Sequence, residues 1–161
     1  MLDLLADAAA WTQARGFENW PARFSRRFIE SHARAGELHA VKSDGVMIAT
    51  LTLQRSDPRF WGETDVDAGY VHRLAVSRAL AGRGMGCRLL DWADAQVRAR
   101  GGEYLRLDVV SSNAPLRRYY ECAGFEYQRD VSGEEALRDG TRRAWQTSLY
   151  ERPCSRVGSA R

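Results

Sequence analysis

The segment "LAGRGMGCRLL" (residues 80–90) places Gly82, Gly84 and Gly86 at every second position and then runs into an apolar, helix-forming stretch. Glycine inside regular structure costs roughly 0.5–1 kcal/mol against alanine. A turn needs one such residue, so three imply that the backbone itself meets something closely. The start of a helix offers unpaired N–H groups and the positive end of the helix dipole, which together attract phosphate. Arg83 and Arg88 add positive charge beside them. A P-loop would need Lys-Ser or Lys-Thr after the last glycine, where this chain has Cys87-Arg88. A dinucleotide fingerprint needs G-x-G-x-x-G, and the spacing here is G-x-G-x-G. Two readings stay open at this point: an anion cradle, and a turn that packs a helix closely on a sheet.

The elements around the loop define how it is held. Residues 2–15 read as a helix with Leu4, Ala8 and Trp11 at helical spacing and Gly16 as the stop, and 22–35 as a second, arginine-rich helix. "ELHAVKSDGVMIATLTL" predicts two strands joined by a Ser-Asp-Gly turn, and "QRSDPRFWGETDVD" a loop. A strand over 69–76, the glycine loop, a helix over 86–100 and a strand over 103–110 make a βαβ unit, so its strands are parallel neighbours. "SSNAPLRRYYECAG" predicts a short helix capped at or beside Asn113, with Pro115 in its first turn and Gly124 at its end. Strands over 125–131 and 143–151 close the sheet.

Composition narrows the class. The chain has 161 residues, is 28% charged and carries a net charge of +3. That fits one domain over 1–152 followed by a polar, frayed tail over 153–161. Lys42 is the one lysine among 24 basic residues, and no stripe of alternating aromatic and basic residues supports nucleic-acid binding. Cys87, Cys122 and Cys154 are odd in number and widely spaced, which argues against a disulfide framework and a zinc site; no metal is expected. The opening residues lack the pattern of a signal peptide, and no apolar run nears the ~20 residues of a membrane span. The expectation is a reduced, cytoplasmic protein without membrane or nucleic-acid partners, and a homodimer is compatible with the sequence.

"YVHRLAVSRALAGRGMGCRLLDWA" followed by "NAPLRRYYECAGF" resembles the GNAT acetyltransferase superfamily over residues 37–150. The resemblance implies an α/β (α+β) fold: a mixed, mostly antiparallel sheet flanked by helices, with a splayed parallel strand pair that holds acetyl-CoA. It implies that Ala81, Gly82, Arg83, Gly84, Met85, Gly86 and Cys87 cradle the coenzyme A pyrophosphate. Leu74, Ala75 and Val76 would then pair with the pantetheine arm like an added strand. Two departures stand out. Ala81 occupies a position that is Gln or Arg in the family, and the family's first strand is missing because the chain opens almost inside its first helix.

Acetyl transfer from a thioester to an amine requires that an ammonium with a pKa near ~10.4 lose its proton. It also requires a donor for the tetrahedral oxyanion and a proton for the departing thiolate. The resemblance makes Tyr120 the acid, with Tyr119 as the lesser candidate; both also suit a core helical face. Asn113 would bond to the coenzyme or the loop, or simply cap the helix. His72 titrates near neutral pH and is the candidate base, with Asp108 as the alternative. The Leu74 N–H would polarise the carbonyl. For the acceptor amine, Trp61 with Glu63, Asp65 and Asp67, and Trp20 with Glu18, offer charge and cation–π contacts; a solvated acidic loop with an aromatic plug is the equal alternative. The expected activity is direct transfer to a primary amine of a small molecule or peptide, with Cys87 and Cys122 as bystanders. A non-catalytic acyl-CoA-binding module of the same fold is the alternative.

Overall fold

The computed structural model describes residues 1–17, 20–136 and 140–154; Glu18 and the tail residues 155–161 lie outside the described residues. Two helices open the chain, α1 (Leu2–Gln13) and α2 (Arg26–Arg34). The second starts later than the arginine-rich pattern predicts because Ser25 caps it, its hydroxyl accepting from the Phe28 N–H at 3.2 Å. Strands β1 (Leu38–Ser43) and β2 (Val46–Gln54) follow as a hairpin. Asp44 and Gly45 turn it with φ of 50° and 77°, the paired positive values of a type I′ turn. The stretch read as a loop contains a helical turn, α3 (Pro58–Trp61). Next come β3 (Ala68–Val76), a 3₁₀ turn over Arg78–Leu80, α4 (Met85–Ala99) and β4 (Tyr104–Val110). Then α5 (Ala114–Cys122), capped by the Asn113 side chain, leads into β5 (Glu126–Ala136) and β6 (Arg142–Pro153).

The last hairpin is longer than the sequence pattern suggests. β5 runs on past residue 131 through Gly133, which faces Trp145 across the ladder, and a Cβ on it would stand 2.7 Å from the indole. The missing side chain is what seats the ring.

The six strands form one sheet in the order β1-β2-β3-β4-β6-β5. β3 and β4 are the parallel pair, and every other neighbour is antiparallel. The apolar face of α4 (Leu89, Leu90, Ala93, Val97) packs with Leu51, Leu53, Val71, Leu105 and Leu107 on one side of the sheet, joined by Tyr120 and Phe125. Each such fully buried side chain contributes roughly 1.5–3 kcal/mol. On the other side, Leu4, Leu5 and Ile29 from α1 and α2 pack around Ala75, while Trp61 packs with Tyr70 and Leu149. No helix among the described residues is long and apolar enough to cross a membrane.

Gly69 shows how closely α4 sits on β3: a Cβ there would lie 2.2 Å from Val97 Cγ2 and 3.1 Å from Leu53 Cδ1. Gly69→Ala should therefore cost about 1–3 kcal/mol through overpacking. Adding Val97→Ala should return part of that loss, as read by denaturant unfolding of the single and double variants.

Candidate active site

The site begins where β3 parts from β4. The two strands pair from Ala68↔Tyr104 to Val71↔Leu107 and no further, so His72 to Val76 have no strand partner on that edge. On the other edge the register with β2 shifts between Thr50 and Thr52, and Arg73 adopts φ of 53°. That is the left-handed region, uncommon for a residue with a side chain. Contacts from two elements hold Arg73 there. Its Nε donates to Thr52 Oγ1 at 3.1 Å, its Nη2 lies 3.1 Å from His32 Nε2, and its guanidinium stands 4.9 Å from the Phe28 ring centroid. His32 Nδ1 in turn faces Glu37 Oε2 at 2.7 Å. Arg73 donating to Nε2 leaves Nδ1 to carry the ring proton toward Glu37.

His72, the residue before that kink, lies between two carboxylates. Its Nδ1 is 3.4 Å from Asp108 Oδ1 and its Nε2 is 3.4 Å from Asp57 Oδ2. These are ion-pair distances, and neither contact reaches hydrogen-bond geometry, so the Asp57 Oδ2 and His72 Nε2 atoms are buried without a hydrogen-bond partner. Burial alone would lower the imidazole pKa, but the two carboxylates outweigh it and raise it to about 9. The ring is therefore an imidazolium at neutral pH. Asp57, His72 and Asp108 are also the only group of three metal-ligating side chains among the described residues. Each ring nitrogen faces its own carboxylate, an arrangement that suits a doubly protonated ring.

The glycine loop solves two separate problems. Gly82 and Gly84 have φ of 76° and 73° with open space at the Cβ position, so the backbone turn requires them rather than the room. Gly86 is different: a Cβ would lie 2.3 Å from the Tyr119 hydroxyl. That hydroxyl is also 3.6 Å from Cys87 Sγ. Gly84 occupies the N-cap of α4 without any capping side chain, which leaves the first N–H groups of the helix, at Met85, Gly86 and Cys87, open. Tyr120 sits on the same short helix as Tyr119 but points to the interior, with 8% of its surface exposed. Burial first, and then the Asp108 charge, raise its pKa above the usual range for a phenol. Its hydroxyl has no hydrogen-bond partner among the described residues.

One cleft of about 1160 Å³ joins these parts: Val71 to Val76, Ala81, Gly82, Gly86, Asp108, Asn113, Tyr119 and Tyr120 all line it. Arg83, Gly84, Met85 and Cys87 belong to the loop and the head of α4 but not to the lining, and Met85 packs against the core. Trp20 lines the cleft. Trp61 does not: it is buried against Tyr70, with the Arg106 guanidinium 4.4 Å from its ring centroid. Glu63, Asp65 and Asp67 also stay outside the lining. The residues that the sequence reading missed come from α3 and the last hairpin. Asp57 stands at the head of α3 with its Oδ2 3.4 Å from His72 Nε2, and Arg59, Phe60 and Trp145 face the cleft. The signal available for α3 was Asp-Pro, a helix-start pattern, in a segment too short to show periodicity.

Residues 5–125 match the model of the acetyltransferase (GNAT) family. The chain belongs to the GNAT family. It is 31% identical to the uncharacterized N-acetyltransferase YesJ of Bacillus subtilis over 139 residues, covering 81% of this chain and 77% of that protein. Among solved structures, a GNAT acetyltransferase of Listeria monocytogenes superposes with a TM-score of 0.72 at 23% identity, covering 94% of this chain and 86% of that one. A GNAT acetyltransferase of Elizabethkingia anophelis with acetyl-CoA bound gives a TM-score of 0.59 at 16% identity, over 80% of this chain and 83% of that one.

In this GNAT chain the clamp on His72 links stability to pH. A histidine whose pKa rises from about 6.5 to about 9 on folding stabilises fully below pH ~6.5, and the gain is lost as pH climbs through about 9. The upper bound is about 3 kcal/mol. An NMR titration should find His72 titrating above pH 8, and the stability advantage over His72→Gln should shrink between pH 6.5 and 9. A midpoint near 6.5 would contradict the clamp.

Proposed function

We propose that this protein transfers the acetyl group of acetyl-CoA directly to a primary amine of a small molecule or peptide. The observation that carries the reading is that the parted strands, the head of α4 at Gly86, His72 and Tyr120 share one cleft. The pyrophosphate of the coenzyme suits the head of α4, where N–H groups and the helix dipole supply fixed positive charge. Arg83 and Arg88 stand in the same stretch. Leu74, Ala75 and Val76, with β2 on one edge and no strand on the β4 edge, can receive the pantetheine amides there as β4 would have been received. The Leu74 N–H, just past the kink at Arg73, is the donor for the oxyanion.

His72 takes the proton of the amine. An imidazole of pKa 6.5 would leave a proton from an ammonium of ~10.4 roughly 5 kcal/mol uphill, whereas a pKa of about 9 cuts that to about 2 kcal/mol. The same shift keeps only ~1% of the ring in its basic form at pH 7, so the rate should climb with pH toward 9. Tyr120 faces the leaving thiolate. With its pKa raised it is a weaker acid than a thiol near ~8.5, so it assists by donating a hydrogen bond as negative charge develops. No cysteine lines the cleft, which supports direct transfer over a cysteine-bound acetyl intermediate.

A thiol-release assay with acetyl-CoA and a panel of primary amines tests the reading. Tyr120→Phe keeps the ring and removes the hydroxyl, so coenzyme affinity by calorimetry should hold while kcat falls by about 10²–10³-fold, the loss of one hydrogen-bond donor to developing charge. Full activity in that variant would remove Tyr120 from the chemistry. Coenzyme binding without acetyl transfer to any amine would leave a binding module.

A further inference from the structure

Part of the cleft wall differs from what the sequence suggests. Glu63, Asp65 and Asp67 stay outside the cleft, and aromatic rings form this part of its wall. Trp20 and Phe24, from the α1–α2 connection, meet edge to face at 5.7 Å, and Phe60 meets Trp145 the same way at 5.6 Å. All four are half-buried, each leaving part of its ring open. The Arg59 guanidinium lies 5.1 Å from the Phe60 ring centroid and 5.7 Å from that of Trp145. No carboxylate among the described residues pairs with it. The carboxylates of the cleft lining are Asp108, which faces His72, and Glu135, which accepts from Arg143 Nε at 2.9 Å. Among the described residues of the lining, a polycationic acceptor finds no free carboxylate, and an acid finds the Arg59 guanidinium without a carboxylate partner.

We infer that the acceptor is an aromatic amine that carries a carboxylate, an aromatic amino acid in the simplest case. Its ring lies against Trp20, Phe24, Phe60 and Trp145, and its carboxylate meets Arg59. Asp57 and Arg59 sit on the same helical turn, and Asp57 faces His72. Arg59 and His72 line the same cleft, so an acceptor that presents its amine to His72 shares that lining with a guanidinium for an acid group. Arginine stacked on a ring keeps its N–H edge free for such a carboxylate. This assignment rests on the transfer reading above.

The test compares kcat/KM for tryptophan and phenylalanine with that for tryptamine, phenethylamine and spermidine at saturating acetyl-CoA. Wild type should favour each amino acid at least tenfold over its decarboxylated analogue, and Arg59→Gln should bring that ratio close to one. A wild-type ratio at or below one, or an unchanged ratio in Arg59→Gln, overturns the acceptor class. Turnover of spermidine but not of the amino acids overturns it too, and leaves the transfer reading standing. No transfer to any amine overturns both.

Discussion

From Ala68 to Val71, strand β3 has β2 on one edge and β4 on the other; from His72 onward it keeps only β2. A backbone polar group left unpaired and away from water costs about 1–3 kcal/mol, so such an edge persists only where water or a ligand satisfies it. The left-handed Arg73 adds strain of order 1–3 kcal/mol. What holds the kink is outside the strand: Thr52 from β2, and His32 and Phe28 from α2, grip the Arg73 side chain. Helix α2 thus fixes the backbone at the kink beside His72, and the packing of α1 and α2 around Ala75 ties both helices to the same strand.

Charge at the centre follows from the same parting. Asp108 comes from β4 just past the last paired residue, and Asp57 arrives from α3 on the other side of His72. α3 can deliver Asp57 because Trp61, at the end of the same turn, is anchored between Tyr70, Arg106 and Arg129. Arg106 is itself fixed by Glu151 at 2.6 Å and by the Tyr70 hydroxyl at 3.1 Å. One turn of helix therefore joins the core, the imidazolium and the cleft wall.

The glycine loop, the βαβ unit and the Asn113 cap were legible because each depends on local sequence: spacing of glycines, alternation of apolar residues, and a polar side chain before Pro115. The parting of the strands was foreseen only through family resemblance, since no local signal marks where two strands stop pairing. Trp61 was placed on the acceptor side, but Phe60 is the ring that lines the cleft. Neighbouring residues on a helix point about 100° apart, so a turn not recognised as helical sends the wrong aromatic inward. His72 was read as a histidine titrating near neutrality. Its charge depends on Asp57 and Asp108, both distant in sequence, and no local pattern announces them.

The central claim is that His72, raised by two carboxylates, takes the amine proton. Its most direct test is the pH dependence of kcat/KM for the acceptor in wild type and in Asp57→Asn. The acidic limb of such a profile reports the ionisations of free enzyme and free substrate. Wild type should rise toward a limb near 9, and removing one carboxylate should move that limb down by about a unit while the ionisation of the amine itself stays fixed. Superimposable profiles would contradict the claim and place the proton elsewhere.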